Sequence, residues 1–176
     1  MATTCLTCGK RSYSDYCMQH KPKKPIKSRS VKPKAVKAKT TKPKAKKRSW
    51  YVNKLDKLYS EYIRLSKSDD NGIATCVTCG NKAHWKEMQN GHFISRGKYP
   101  TRWDVYNCHI QDYRCNVALN GNYIEYTMFM IDNYGRDFVE ELKHKSINGE
   151  KKTTSHIQQL IDHYEKVVRQ LKEEKS

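Results

Sequence analysis

Two ligand pairs and a lone histidine mark the stretch of this chain where chemistry is concentrated. Cys76-Val77-Thr78-Cys79 puts two soft thiolates on one tight turn, and Asp112-Tyr113-Arg114-Cys115 offers a second pair 36 residues further on. Together they can close a tetrahedron around a structural zinc. Between them stand Gly91-His92-Phe93, Asn107 and His109, and just after them Asn116. A histidine and an ordered set of amides inside a zinc frame is the outline of a hydrolytic nuclease site. Nearer the start, Cys5, Cys8, Cys17 and His20 follow a C-x2-C-x8-C-x2-H spacing. Four such ligands in so short a segment have no core to pack into, so a second zinc, held in a knuckle, is expected.

These residues need elements to hold them. Ser49 can cap a helix in which Val52, Leu55, Leu58, Tyr59, Tyr62 and Leu65 share one face. Residues 66–72 read as a polar loop leading to a β-hairpin, with residues 73–77 and about 85–93 flanking the zinc turn at Gly80-Asn81 and His92 near the end of the second strand. Tyr123, Tyr126, Met130 and Tyr134 predict a helix ended by Gly135, and Phe138 and Leu142 a short one after it. A last helix from about Thr154 carries Ile157, Leu160, Ile161, Tyr164, Val168 and Leu171. That stripe is expected to pack inward, with pairing in a homodimer as its other use.

The charge is unevenly spread. Of the net +17, residues 21–48 hold 14 Lys or Arg and no acid, which leaves +3 for the remainder. The Lys-Pro and Lys-Ala repeats of that arm, such as Lys32-Pro33-Lys34, resist helix formation and bury nothing, so a disordered basic linker is expected. Fourteen cations on a flexible segment would release many counterions from a polyanion, which favours sequence-independent nucleic-acid binding. With 36% hydrophobic residues and a mean hydropathy of −0.96, the 176 residues build a small core. No apolar run approaches the roughly 20 residues that span a bilayer, and the N-terminus lacks the apolar stretch of a signal peptide, so a cytoplasmic protein without a membrane is expected. Seven cysteines, an odd number, fit metal binding in a reducing compartment better than disulfides.

The order of landmarks resembles the NinG/Rap recombination-protein family of lambda-like phages, structure-specific endonucleases associated with Holliday junctions and other branched DNA. The resemblance rests on the N-terminal cysteine cluster, the basic stretch, Ser49-Trp50-Tyr51, Cys76-x-x-Cys79-Gly80 and Gly91-His92-Phe93. It continues through Arg102-Trp103, Asn107-x-His109-x-Gln111, Cys115-Asn116, Gly121-Asn122 and Tyr126, tightest over residues 76–126. It implies an α+β fold with a small ββα-metal core of HNH type, flanking helices and a zinc-stabilised hairpin. Within it, His92 would be the general base, Asn107 would orient the loop that carries it, and Asn116 would contribute to a catalytic Mg²⁺ or Mn²⁺. The chemistry agrees, because a neutral imidazole can take a proton from water attacking a phosphodiester. His109 could ligate the cation, bind phosphate or pack against the zinc site. Arg96, Lys98 and Arg102 are expected to grip the DNA strand.

Two departures qualify the resemblance. Where the family pattern expects Cys-x-x-Cys-Asn, this chain has Asp112, so the zinc set is Cys76, Cys79, Asp112 and Cys115, with Cys108 or His109 as substitutes. Gly91 stands where the wider HNH class often carries an acidic ligand, so His109, Asp112 or water must complete the Mg²⁺ site. The resulting expectation is a zinc knuckle over residues 1–20, a basic linker over 21–48 and a nuclease domain over 49–176 that nicks branched DNA. The rivals are an HNH enzyme of homing or restriction-like preference and a noncatalytic zinc-finger binding module.

Overall fold

The computed structural model describes residues 3–12, 16, 18–21 and 45–175. Cys17 and residues 22–44, most of the basic arm, lie outside the described residues, so their expected roles are not addressed by the fold. The chain divides into two units, Met1–Lys42 and Pro43–Ser176.

In the first unit, β1 (Thr3–Thr4) pairs antiparallel with β2 (Arg11–Ser12) around a turn carrying Cys5 and Cys8. The N–H of Gly9 donates to the Cys5 carbonyl (2.8 Å), the N–H of Cys5 donates to the Lys10 carbonyl (2.9 Å), and Gly9 takes a left-handed φ of 70°. The second unit repeats this local solution. Gly80 N–H donates to Cys76 carbonyl (2.9 Å), Cys76 N–H to Asn81 carbonyl (2.8 Å), and Gly80 has φ 75°. Cys-x-x-Cys-Gly therefore encodes the same knuckle twice, since only a residue without Cβ passes through that φ at little cost.

The second unit opens with α1 (Arg48–Ser66), in which Val52, Leu55, Tyr59 and Leu65 of the expected stripe are buried, Leu58 and Tyr62 are half-buried, and Ile63, outside the expected set, is buried with them. Ser49 does not cap it. The helix begins one residue earlier, where Arg48 donates to Thr154 Oγ1 (3.0 Å) and the Lys152 carbonyl (2.7 Å), so a tertiary clamp outweighs the local cap. Against α1 lies α4 (Thr154–Glu174), with Ile157, Ile161 and Val168 buried and Tyr164 edge-on to Tyr59 at 5.1 Å. The α4 stripe is thus spent inward, as its spacing suggested. No helix among the described residues is long and apolar enough to cross a membrane.

The hairpin differs from its sequence reading. β3 (Ile73–Thr75) pairs with a short β4 (Lys82–His84), while β5 (Gln89–His92) pairs antiparallel with β6 (Cys108–Gln111). The break comes at Trp85 and Met88, both drawn into the core, where Arg64 donates to their carbonyls at 3.3 and 3.4 Å. Burying two large side chains forces the turn that hands the next strand to a new partner. Val77 N–H bonds the Ile110 carbonyl (3.0 Å), so the knuckle covers the outer side of β6 while β5 is the free edge of its two-stranded sheet. After a π-type turn over Arg114–Ala118 come α2 (Tyr123–Tyr134), ended by Gly135 at φ 85°, and α3 (Arg136–Asn148). Phe93, Tyr126, Met130, Val139 and Leu142 form a second apolar cluster beneath them. The result is a mixed α+β chain with small hairpins.

Candidate active site and metal centres

Ligand atoms of Cys76, Cys79, Asp112 and Cys115 lie within 4.8 Å of one another. The knuckle delivers the first two and the end of β6 the others, bringing together two segments distant in sequence. Asp112 divides its carboxylate: Oδ1 accepts from the Cys115 N–H (2.7 Å), while Oδ2 lies 3.3 Å from both Cys79 Sγ and Asn81 Nδ2. Burial opposes ionisation of Cys76, yet hydrogen bonds from Thr78 and from backbone N–H groups hold its thiol below the ordinary range. Burial and its acidic neighbours push Cys79 up to about 12. Three thiols and a carboxylate so close cannot all ionise unless a cation sits among them, and this soft-plus-carboxylate set fits zinc. Neither substitute ligand joins the cluster: Cys108 is fully buried on β6, and His109 is engaged elsewhere. In the first unit Cys5, Cys8 and His20 form a second cluster that could hold a metal, with Cys5 Sγ 3.9 Å from His20 Nδ1.

Asp112→Cys tests the division of labour. The change removes the cap on Cys115 N–H, a loss of about 1 kcal/mol, and restores a thiolate pair. Zinc should be held at least as tightly by competition with a chelator, with folding preserved. A variant that loses zinc would show that the site requires the carboxylate.

His92 occupies the last position of β5, half-buried, with Nε2 3.1 Å from the Arg102 carbonyl. A carbonyl only accepts, so Nε2 carries the proton and Nδ1 keeps the lone pair. Burial lowers the pKa of His92, opposed by the Arg102 carbonyl and by Asp56, so the ring is neutral at pH 7. The loop that supplies this carbonyl is pinned by Asn107, fully buried. Its Oδ1 accepts from Ile94 N–H (2.7 Å) and its Nδ2 donates to the carbonyls of Ile94 (2.9 Å) and Thr101 (3.0 Å). Asn107 therefore acts on His92 through the backbone, one residue from the carbonyl that fixes the ring.

Along the free edge of β5 runs a cleft of about 520 Å³. Its walls come from α1 (Asp56, Tyr59, Ser60), from β5 (Gln89, Asn90, His92) and from the far side (Asn116, Asn120, Tyr123). Asn116 donates from Nδ2 to Gln89 Oε1 (2.8 Å), joining the π-type turn to the strand. Arg96 is exposed and lines the cleft; Lys98 is exposed but does not. Arg102 is not free to grip a strand. Its Nε and Nη2 clasp both oxygens of Asp56 (2.9 and 2.5 Å), and Nη1 donates to the Arg96 carbonyl (2.7 Å). Trp103 Nε1 adds a third bond to Asp56 (2.9 Å). Asp56 thus seats the loop against α1 and lends a negative charge to the His92 side of the cleft. Asp56 is not among the residues expected from the sequence, because its partners stand 46 and 47 residues away and nothing local marks it.

His109 stands apart from this cleft, as does Asp112. Its Nδ1 lies 3.0 Å from the Tyr126 hydroxyl and its Nε2 3.0 Å from that of Tyr134, and the residue is 2% exposed. With both ring nitrogens engaged, it is a core histidine tying β6 to α2, and the expected catalytic or cation-binding use finds no geometry here. Gly91, its register partner, lacks a Cβ because Gln111 occupies that space. Burial drives the pKa of His109 down to about 3. Since the unfolded value is near 6.5, the unfolded chain gains a proton first, so stability is full above about pH 6.5 and falls as pH drops toward 3, at up to about 1.4 kcal/mol per pH unit. Urea midpoints measured from pH 7 to pH 4 should show this fall, and a His109→Phe variant should show a shallower one.

The family described as NinG, bacteriophage lambda NinG protein, matches residues 1–174. Protein ninG of Escherichia phage 933W is 28% identical over 101 residues, covering 56% of this chain and 47% of that protein. Protein ninG of Salmonella phage P22 is 26% identical over 136 residues, covering 74% of this chain and 62% of that protein. The chain therefore spans about half to three fifths of the length of these relatives. No solved structure matches it.

Proposed function

This chain belongs to the bacteriophage lambda NinG family, and from that premise we propose that it is a divalent-cation-dependent endonuclease that nicks Holliday junctions and other branched DNA. The observation that carries the reading is the fixing of His92. Its Nε2–H is held by the Arg102 carbonyl, which leaves Nδ1 as a neutral proton acceptor beside a groove open along a strand edge.

Nδ1 of His92 takes a proton from water as the water oxygen bonds to phosphorus, and the bond from phosphorus to one bridging oxygen breaks. The imidazolium so formed is favoured by the carboxylate of Asp56, whose charge raises the affinity of His92 for a proton. Asn107 and the Arg102–Asp56 clamp keep the ring from turning, which places the base without reorganisation during the reaction. In this reading β5, β6 and the following π-type turn would stand for the ββα arrangement of HNH nucleases, a reading supported by the antiparallel pairing of the two strands. The cleft presents hard amide oxygens on Gln89, Asn90 and Asn116 rather than thiolates, and the Asn90 oxygen has no hydrogen-bond partner. That donor set fits Mg²⁺ or Mn²⁺ better than zinc. Asn116 and its neighbours would hold such an ion, which when bound supplies charge stabilisation to the phosphate and the leaving oxygen.

The test is the purified protein with Mg²⁺ on matched four-way, flap and linear DNAs. Nicks confined to the branched substrates and lost with a chelator are expected; equal cutting of linear duplex would point to a homing or restriction-like enzyme, and no cutting of any DNA would end the nuclease reading.

The basic arm has a separable role. Because Arg48 belongs to α1, the informative deletion is residues 22–44, which removes 10 Lys or Arg. Affinity should fall for every DNA shape, and the slope of log affinity against log salt should flatten. An unchanged slope would make the arm a spacer.

A further inference from the structure

We propose that the rim of the cleft carries a stacking subsite for an unpaired base at a DNA branch point, with Tyr123 as its platform. The proposal rests on the reading of the chain as a branched-DNA protein and names what in the branch is recognised.

Tyr123 lines the cleft, is 54% exposed, and lies parallel to Phe93 (interplanar angle 5°, centroids 5.4 Å apart). Phe93 is buried and turned edge-on to Tyr126 at 5.4 Å, so the outer ring rests on a fixed floor. The segment before it is unusual. Asn120, Gly121 and Asn122 take successive φ values of 49°, 92° and 45°. Such left-handed residues persist where surrounding bonds hold them. Here Gly121 N–H donates to the Cys115 carbonyl (2.9 Å) and Gln111 Nε2 to the Gly121 carbonyl (2.8 Å), so the platform is anchored to the cysteine cluster. Beside it Val117, also in the cleft wall, is 45% exposed. An exposed Arg96 together with an open aromatic face and an exposed aliphatic side chain in the wall of a polar groove is the composition of a base-stacking surface, in which cations track phosphates and rings take the bases.

A second observation points the same way. The Tyr59 hydroxyl, in the cleft wall, is buried without a hydrogen-bond partner, and Tyr59 is 1% exposed. An orphan hydroxyl in a groove is costly unless something fills it, and an acceptor on the edge of a nucleobase offers the complement. Bases in linear duplex are stacked and paired, whereas those at a branch point are displaced at little cost. The subsite would therefore discriminate branches by access to a base rather than by its sequence.

The experiment is equilibrium binding of the full chain to a four-way junction and to linear duplex of the same sequence, in Ca²⁺ to limit cleavage. A fluorescent adenine analogue at the branch point reports stacking. Tyr123→Ala should lower junction affinity about 10-fold, the loss typical of one base stack, leave linear affinity unchanged and restore the fluorescence that wild type quenches. Tyr123→Phe should behave as wild type. Tyr59→Phe should weaken junction binding about threefold with an unchanged or higher melting temperature, since the hydroxyl removed is unpaired in the free protein. Equal wild-type affinity for the two DNAs, a parallel loss on both in Tyr123→Ala, or unchanged junction binding in both variants would overturn the proposal. None of these outcomes depends on hydrolysis, so a protein that binds branches selectively through Tyr123 but cuts no DNA would retain the subsite and refute only the nuclease reading.

Discussion

His92→Ala should lower the single-turnover nicking rate on a four-way junction by about 10²- to 10⁴-fold, the usual worth of a positioned general base. DNA affinity and zinc content should stay near wild type, because the His92 side chain makes one backbone hydrogen bond, to Arg102, and belongs to neither cysteine cluster. The pH profile supplies an independent reading. Burial holds the pKa of His92 below its ordinary value, and in the proposed mechanism the neutral form is the active one. The rate should therefore remain level as pH is lowered through about 6.5 and decline only below that, on a limb that disappears in the variant. A wild-type rate in His92→Ala would remove this residue from the mechanism. The variant also separates rival explanations, since loss of cleavage with retained binding cannot be produced by a noncatalytic binding module.

Cys76→Ser should abolish cooperative folding of the Pro43–Ser176 unit, or lower its melting temperature by more than 10 °C on the order expected for losing several kcal/mol from a domain of this size. The reason is where the ligands sit. Cys76 and Cys79 belong to the β3–β4 knuckle and Asp112 and Cys115 to the exit of β6, so a metal bound among them ties together two segments distant in sequence, beside the apolar cluster that both enter. Binding energy at a zinc site of this kind is folding energy, about 10 kcal/mol or more in small zinc domains. Cys108→Ser is the control. Cys108 is equally buried but outside the cluster, so that variant should keep full zinc and lose only a modest packing contribution. Circular dichroism melts with zinc quantified in parallel decide the matter, and a stable, zinc-free Cys76→Ser protein would show that the cysteines have no structural metal.

What was legible beforehand was local. Both Cys-x-x-Cys-Gly knuckles, the apolar stripes of α1 and α4, and the ending of α2 at Gly135 depend on spacing or on one residue's φ, which amino-acid types specify directly. The convergence of Cys76, Cys79, Asp112 and Cys115 was legible too, because soft ligands in pairs have few other uses. Partner choice was not. Nothing within residues 85–93 says that β5 leaves β3 for β6; burial of Trp85 and Met88 under α1 decides it. The same holds for function at single positions. His92 and His109 are one residue type in neighbouring motifs, and the packing decides which of them is left free. β5 ends at a cleft with one nitrogen of His92 held by a carbonyl, while two tyrosines from α2 close both nitrogens of His109. Arg102 and Asp56, 46 residues apart, likewise become a clamp only when the loop folds back on α1. Residue types and short spacings determine which chemistry a chain can carry, but which copy of a side chain is left free to perform it depends on contacts between distant segments, and those exist only once the core has formed.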